Sequence, residues 1–127
     1  MSSSSKKILI VEDELVLQLM LVHMLQRMGF QNFEKTTKGR EAVELCESND
    51  FGLILMDIML QDDIDGIEAY KKIKEKKGEV PVIYITGNTD PKNKDRAEEL
   101  GFCDYLGKPL TFKQLKNSID QIESLSS

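Results

Sequence analysis

Apolar residues follow two rhythms along this chain. Short unbroken runs recur at Lys7–Val11, Phe51–Met56, Pro81–Thr86 and Cys103–Leu106, each bounded by acidic residues, Gly or Pro. Uninterrupted Val, Ile and Leu fit strands covered on both faces, as in a parallel sheet. Asn32–Thr36 is weaker and mixed in polarity, which predicts an edge strand. Between the runs the apolar spacing becomes helical. Glu14–Met28 stops at Gly29, Asp90-Pro91 opens a helix that stops at Gly101, and Thr111 with Gln114 makes a capping box ahead of Leu115, Ile119 and Ile122. Lys38–Ser48 and Asp65–Lys77 complete the helices. Strands alternating with helices predict a doubly wound α/β fold, because parallel neighbours need crossovers and helices supply them. The expected arrangement is flavodoxin-like, with five parallel strands in the order 2-1-3-4-5 and five helices. In such a sheet a ligand crevice lies beyond the strands' carboxyl ends where the order reverses, between strands one and three.

Length and charge narrow the picture. A chain of 127 residues suits one compact domain. Residues 6–123 are expected to form it, with 1–5 and 124–127 as flexible ends of polar composition. A net charge of -5 with dispersed Lys and Arg disfavours direct nucleic-acid binding. Cys46 and Cys103 sit in apolar segments without metal-ligand spacing and read as buried free thiols of a reducing cytoplasm. No apolar run has the length of a membrane span or of a signal peptide's core, so the expected location is cytoplasmic, away from membrane.

The first strand runs into Glu12-Asp13-Glu14 and the third ends at Asp57, so the topology crowds acids around one crevice. Such crowding is unfavourable without a cation. Oxygen donors without His or Cys suit a hard metal, and Mg²⁺ is the natural choice because it accepts few carboxylates and keeps waters and phosphate oxygens. Taken alone, Glu14 is equally a favourable first-turn acid. The fourth strand finishes at Thr86, and Lys108-Pro109 follows the fifth, bringing a hydroxyl and a cation to the same sheet end.

The segments Ile-Leu-Ile-Val-Glu-Asp-Glu, Leu-Ile-Leu-Met-Asp-Ile-Met-Leu, Asp-Gly-Ile-Glu, Pro-Val-Ile-Tyr-Ile-Thr-Gly and Asp-Tyr-Leu-Gly-Lys-Pro together resemble the receiver domains of two-component response regulators, in the chemotaxis-regulator-like single-domain form. The resemblance runs in family order over almost the whole chain. It implies a phosphoacceptor signalling domain of a phosphorelay, not an enzyme acting on an external substrate. Asp57 would be the phosphoacceptor. Asp13 would bind Mg²⁺ directly, Glu12 through water, and the Met59 backbone carbonyl would complete the protein ligands. Thr86 and Lys108 would each meet a phosphoryl oxygen, Lys108-Pro109 would be a cis peptide, and Tyr105 would be the switch aromatic moving with Thr86. The implied donor is a sensor histidine kinase or a histidine phosphotransfer protein. A stand-alone receiver would pass its message by protein contact or onward phosphotransfer.

Three departures from the common receiver pattern stand out. Gln61-Asp62-Asp63-Ile64-Asp65-Gly66 lacks the frequent Pro and is one residue longer before Asp-Gly, Gly87 replaces the usual Ala after Thr86, and Glu12 replaces an Asp. Met59 and Asn88 occupy positions that in similar receivers influence how long the phosphoryl group lasts.

The first helix carries more apolar residues than one stripe requires. Leu17, Met20, Leu21, Met24, Leu25 and Met28 make a core face, whereas Leu15, Leu19 and Val22, flanked by Gln18 and His23, make a second face suited to docking a kinase bundle. Scattered surface hydrophobes or self-association are the competing explanations of that face. Tyr105 has an alternative as a packed strand aromatic. For the whole chain, the alternatives are a phosphorylation-independent protein-binding module, a flavodoxin-like cofactor carrier and a haloacid-dehalogenase-type phosphotransferase. The acidic crevice disfavours an anionic flavin phosphate, and Met59 stands where the phosphotransferase would carry its second Asp.

Overall fold

The computed structural model describes residues 7–87 and 90–122, so the expected flexible ends and Asn88 lie outside the described residues. The strands are β1 (Lys7–Val11), β2 (Asn32–Thr36), β3 (Leu53–Met56), β4 (Val82–Thr86) and β5 (Asp104–Gly107). They alternate with α1 (Leu15–Arg27), α2 (Gly39–Ser48), α3 (Gly66–Lys77), α4 (Pro91–Leu100) and α5 (Phe112–Asp120). All neighbouring pairs are parallel, in the order β2-β1-β3-β4-β5. This is the flavodoxin-like doubly wound arrangement expected from the alternation.

Strand period two divides the core into two layers. Ile8, Ile10, Leu53, Leu55, Ile83 and Ile85 pack with Leu21 and Leu25 of α1 and Leu115 and Ile119 of α5. Leu9, Val11, Ile54, Met56, Val82 and Tyr84 face the other way, against Ala42 and Val43 of α2, Ile67 and Ile73 of α3 and Ala97 of α4. Burial on both faces is why β1, β3 and β4 read as unbroken apolar runs. Strand β2, at one edge, is mostly part-exposed, which matches its mixed polarity.

The two predicted helix starts, at Asp90 and Thr111, are in place, and α3 adds a cap that its sequence had not suggested. Asp65 and Glu68 form a reciprocal capping box at α3, Thr111 and Gln114 form one at α5, and Asp90 accepts from the Lys92 N–H ahead of Pro91. The runs at Phe51, Pro81 and Cys103 enter the sheet one or two residues later than their hydrophobicity suggests, because these residues are approach segments to the ladder. Cys46 is buried as expected, but Cys103 is exposed: it precedes β5, outside either layer. No helix among the described residues is long and apolar enough to cross a membrane.

Two backbone contacts place the crevice. The Asp57 N–H donates to the Val11 carbonyl at 3.0 Å, extending the β1–β3 ladder past the strands and setting Asp57 beside Glu12. At the start of α3 the Gly66 N–H donates to the Ile58 carbonyl at 2.9 Å. A Cβ on Gly66 would lie 2.1 Å from the Asp57 carbonyl oxygen and 2.9 Å from Met56 Cγ, so only glycine lets the helix start this close to the strand end. Gly66→Ala should therefore lower stability by about 2–3 kcal/mol through overpacking, read as a reduced urea midpoint at unchanged m-value. A change under about 0.5 kcal/mol, the scale of an ordinary surface substitution, would show that the helix start shifts freely.

Candidate functional site

Glu12, Asp13 and Asp57 meet at the carboxyl ends of β1 and β3. One carboxylate oxygen from each lies within 4.8 Å of those from the other two. Glu12 is 1% exposed and Asp57 3%, while Asp13 is half-buried. Opposite them, Lys108 projects from beyond β5, held by its own N–H to the Thr86 carbonyl at 3.0 Å and followed by a cis bond to Pro109. Its Nζ lies 2.9 Å from Asp57 Oδ2, 3.1 Å from Glu12 Oε1 and 3.4 Å from Glu14 Oε1. The Lys108 contacts to Glu12 and Asp57 are the ones that matter, since the Glu14 carboxylate is exposed and screened.

A backbone amide holds one oxygen of each clustered carboxylate. Asp57 Oδ1 accepts from the Met59 N–H at 3.2 Å, Asp13 Oδ2 from the Gln61 N–H at 3.1 Å, and Glu12 Oε2 from the Glu14 N–H at 2.9 Å. Glu12 Oε1 is enclosed and, apart from its ion pair with Lys108, has no partner of hydrogen-bond geometry among the described residues. Three acids thus face one well-placed lysine, and negative charge is in excess.

The electrostatic consequence falls on Glu12. Burial pushes its carboxyl up to about 7, and the nearby Asp57 charge adds to the rise; the Glu14 N–H and Lys108 pull it back only in part. Burial works against the Lys108 charge, but the hydrogen bond and charge of Asp57, helped by Glu12, outweigh it and hold the ammonium above the ordinary lysine range. A buried carboxylate whose Oε1 meets the Lys108 ammonium, two further acids within reach and a cluster built of carboxylates form a donor set that fits a hard divalent cation such as Mg²⁺. Beside this cluster opens a cleft of about 500 Å³ lined by Asp13, Glu14, Asp57, Met59, Gln61, Gly87 and Lys108. It has room for a tetrahedral anionic group in front of Asp57.

The other residues singled out by sequence are distributed around this crevice. Thr86 is buried at the end of β4. The Met59 side chain is exposed at the rim of the cleft, while its N–H serves Asp57. Tyr105 packs its ring 5.9 Å from that of Tyr84 and 5.7 Å from that of Phe102, with its hydroxyl enclosed.

The second face of α1 differs from expectation. Gln18 is not on a docking surface: it is buried, and its amide donates to the carbonyls of Glu12 and Thr36 at 3.1 Å each, joining the ends of β1 and β2. Val22 also turns inward and packs against the core. Leu15 and Leu19 do face outward, at 67% and 55% exposure, and are joined by Val16 and by Met20, which the wheel had placed in the core. The wheel fixes the angles between side chains but not which angle faces the sheet, and the β1–β2 carbonyls claimed Gln18. Periodicity gave no sign of Gln18's role or of the Gln61 amide. The lack of Pro in the Gln61–Gly66 segment was a hint of the latter, since every residue there keeps its N–H.

A family model described as the response regulator receiver domain matches residues 8–120. The transcriptional regulatory protein SrrA of Staphylococcus aureus (strain NCTC 8325 / PS 47) is 35% identical over 111 residues, which cover 87% of this chain and 45% of that protein. The chain therefore spans less than half the length of the curated relatives it matches. Among solved structures, the receiver domain of the sensor histidine kinase PA1611 from Pseudomonas aeruginosa PAO1 superposes with a TM-score of 0.82 at 29% identity, covering 92% of this chain and 96% of that one. That domain holds a magnesium ion coordinated in its active site cleft. A CheY-like response regulator receiver domain protein from Methanospirillum hungatei JF-1 gives a TM-score of 0.85 at 28% identity, covering 94% and 93%.

The raised Glu12 carboxyl has a measurable sign. Because the fold holds its proton more tightly than the unfolded chain does, its contribution to stability is fully present below about pH 4.5 and is lost as pH rises through about 7. In metal-free protein, Glu12→Gln should flatten the fall in stability between these limits. Carboxyl-carbon NMR should show Glu12 titrating near 7 in the parent chain and lower in Asp57→Asn. A Glu12 titration at an ordinary carboxylate value would mean that water reaches the site.

Proposed function

The chain belongs to the response regulator receiver domain family, a family of signalling domains rather than catalytic enzymes, and from that membership we propose that Asp57 accepts a phosphoryl group with Mg²⁺ as cofactor. The carrying observation is Asp57 itself: a buried carboxylate at the mouth of an open cleft, gripped on one oxygen by Lys108 and on the other by a backbone amide. Donors for this family are histidine kinases and histidine phosphotransfer proteins, and the donor of this chain is of that class.

Asp57 is held by Lys108 and the Met59 N–H, so its approach geometry is set before the donor arrives. One carboxylate oxygen forms the new O–P bond while the P–N bond to the donor imidazole breaks, its electron pair leaving with the ring nitrogen. Lys108 turns from the Asp57 oxygen to an equatorial phosphoryl oxygen, so its charge stays in the site and meets the charge that enters. Asp13, Asp57 and the Met59 carbonyl would hold Mg²⁺, with Glu12 acting through water. The bound ion supplies positive charge against the incoming phosphoryl group. Thr86, at the end of β4, would then bond a phosphoryl oxygen, and its movement would open space for Tyr105, carrying the charge change to the α4–β5–α5 surface.

The donor would reach the cleft across the exposed face of α1. Leu15, Val16, Leu19 and Met20 are adjacent on that face, Leu15 stands two residues from Asp13, and His23 and Arg27 continue the surface along an apolar groove with Leu19, Met20 and Met24. An amphipathic donor helix is the partner such a face fits.

After incubation with phosphoramidate and Mg²⁺, intact mass should show a hydroxylamine-labile adduct that is absent in Asp57→Asn and with chelator. A persistent adduct in Asp57→Asn would move the acceptor elsewhere, and no adduct on folded, Mg²⁺-binding protein would favour a phosphorylation-independent binding module. For the docking face, Leu15→Ser with Leu19→Ser should slow transfer from a phosphohistidine protein roughly tenfold, the scale of about 1.4 kcal/mol, and leave phosphorylation by phosphoramidate intact. Equal loss with both donors would remove the docking role.

A further inference from the structure

Asp13 is the least buried of the three clustered acids, and it borders two like charges. Left to itself, such a carboxylate relieves repulsion by swinging toward water. It is held instead by a main-chain group. The N–H of Gln61 donates to Asp13 Oδ2 at 3.1 Å, across 48 positions of sequence. A proline at this position would have no N–H to give. The longer acidic segment that follows Gln61 is tied on both sides. Asp62 accepts the Arg40 N–H at 3.1 Å, at the start of α2, and Asp63 takes the Arg40 guanidinium Nε at 2.7 Å on each oxygen. Asp65 caps α3 and meets Arg96 of α4 at 3.0 Å. These exposed pairs are individually weak, but together they fix where the segment runs. Gln61 also lines the cleft, so its backbone is presented to Asp13 at the site itself.

We propose that Gln61 is a positioning residue for the cation site, acting through its backbone amide: it fixes the Asp13 carboxylate by one oxygen, so that Asp13 would be held in place for a cation. The inference rests on the reading of Asp13 as a Mg²⁺ ligand. An amide hydrogen bond to a charged carboxylate is a strong one, and partners of metal ligands commonly change affinity by about tenfold or more. Because the donor is the main chain, the Gln61 side chain is dispensable and only loss of the N–H matters.

Calorimetric Mg²⁺ titration of the parent chain, Gln61→Ala, Gln61→Pro and Asp13→Ala, each first checked for folding by thermal melting without metal, tests this. Gln61→Ala should bind within about twofold of the parent, Gln61→Pro about tenfold more weakly, and Gln61→Pro should add nothing further in an Asp13→Ala background. If Asp13→Ala leaves Mg²⁺ affinity unchanged, the metal-site reading fails; if Asp13→Ala weakens binding but Gln61→Pro equals Gln61→Ala, only the positioning role fails. Should Gln61→Pro not fold, amide exchange decides. In metal-free Asp13→Ala the Gln61 N–H should exchange about tenfold faster than in the parent chain, as expected when a protecting hydrogen bond is lost, and an unchanged rate would overturn the proposal.

Discussion

Everything at the working end of this molecule depends on holding negative charges together against their repulsion. Glu12 and Asp57 are buried, Asp13 is close by, and among the described residues Lys108 alone forms an ion pair with both buried acids. The cost appears in the Glu12 carboxyl, which burial first, and the Asp57 charge after it, push up to about 7. A group of this kind is poised to bind positive charge, and a cation lets all three acids ionise together. The same imbalance explains why Lys108 stays charged despite its burial.

That charge cluster would not persist on a yielding frame. Its members leave the ends of adjacent strands whose ladder continues through the Asp57 N–H to the Val11 carbonyl. Each carboxylate then has one oxygen taken by a backbone amide within its own or a neighbouring loop. Gly66 brings α3 against the carbonyl of Asp57, so the acceptor is braced from behind. The site is built from main-chain geometry, and the charged side chains are added to a scaffold set by apolar packing in two layers.

Helix α1 serves the two sides of that frame differently. Leu21 and Leu25 anchor it to the sheet, and Gln18 ties it to the carbonyls of Glu12 and Thr36 at the carboxyl end of the sheet. Leu15, Val16, Leu19 and Met20 remain in solvent. The polar staple and the exposed apolar face are two consequences of one rotation of the helix. The rotation that buries Leu21 and Leu25 also turns the Gln18 amide onto two strand-end carbonyls and leaves Met20 outward.

Features that repeat, or that a few neighbouring residues encode, are legible in the chain before it folds. Unbroken apolar runs set the buried strands, Asp90 and Thr111 set two of the helix starts, and strand–helix alternation set a parallel sheet; that common strand direction put Glu12, Asp13, Asp57 and Lys108 at one end. These follow from period, cap chemistry and crossover handedness, which act over a few residues or admit few topologies. Tertiary structure alone decided which angle of α1 faces the core, that Cys103 lies outside it, that Glu12 bears the electrostatic strain and that the Gln61 amide holds Asp13. Each of these depends on main-chain groups or on charges dozens of positions apart, and a carbonyl, an N–H or a local field leaves no mark in residue type until the fold brings it to its partner.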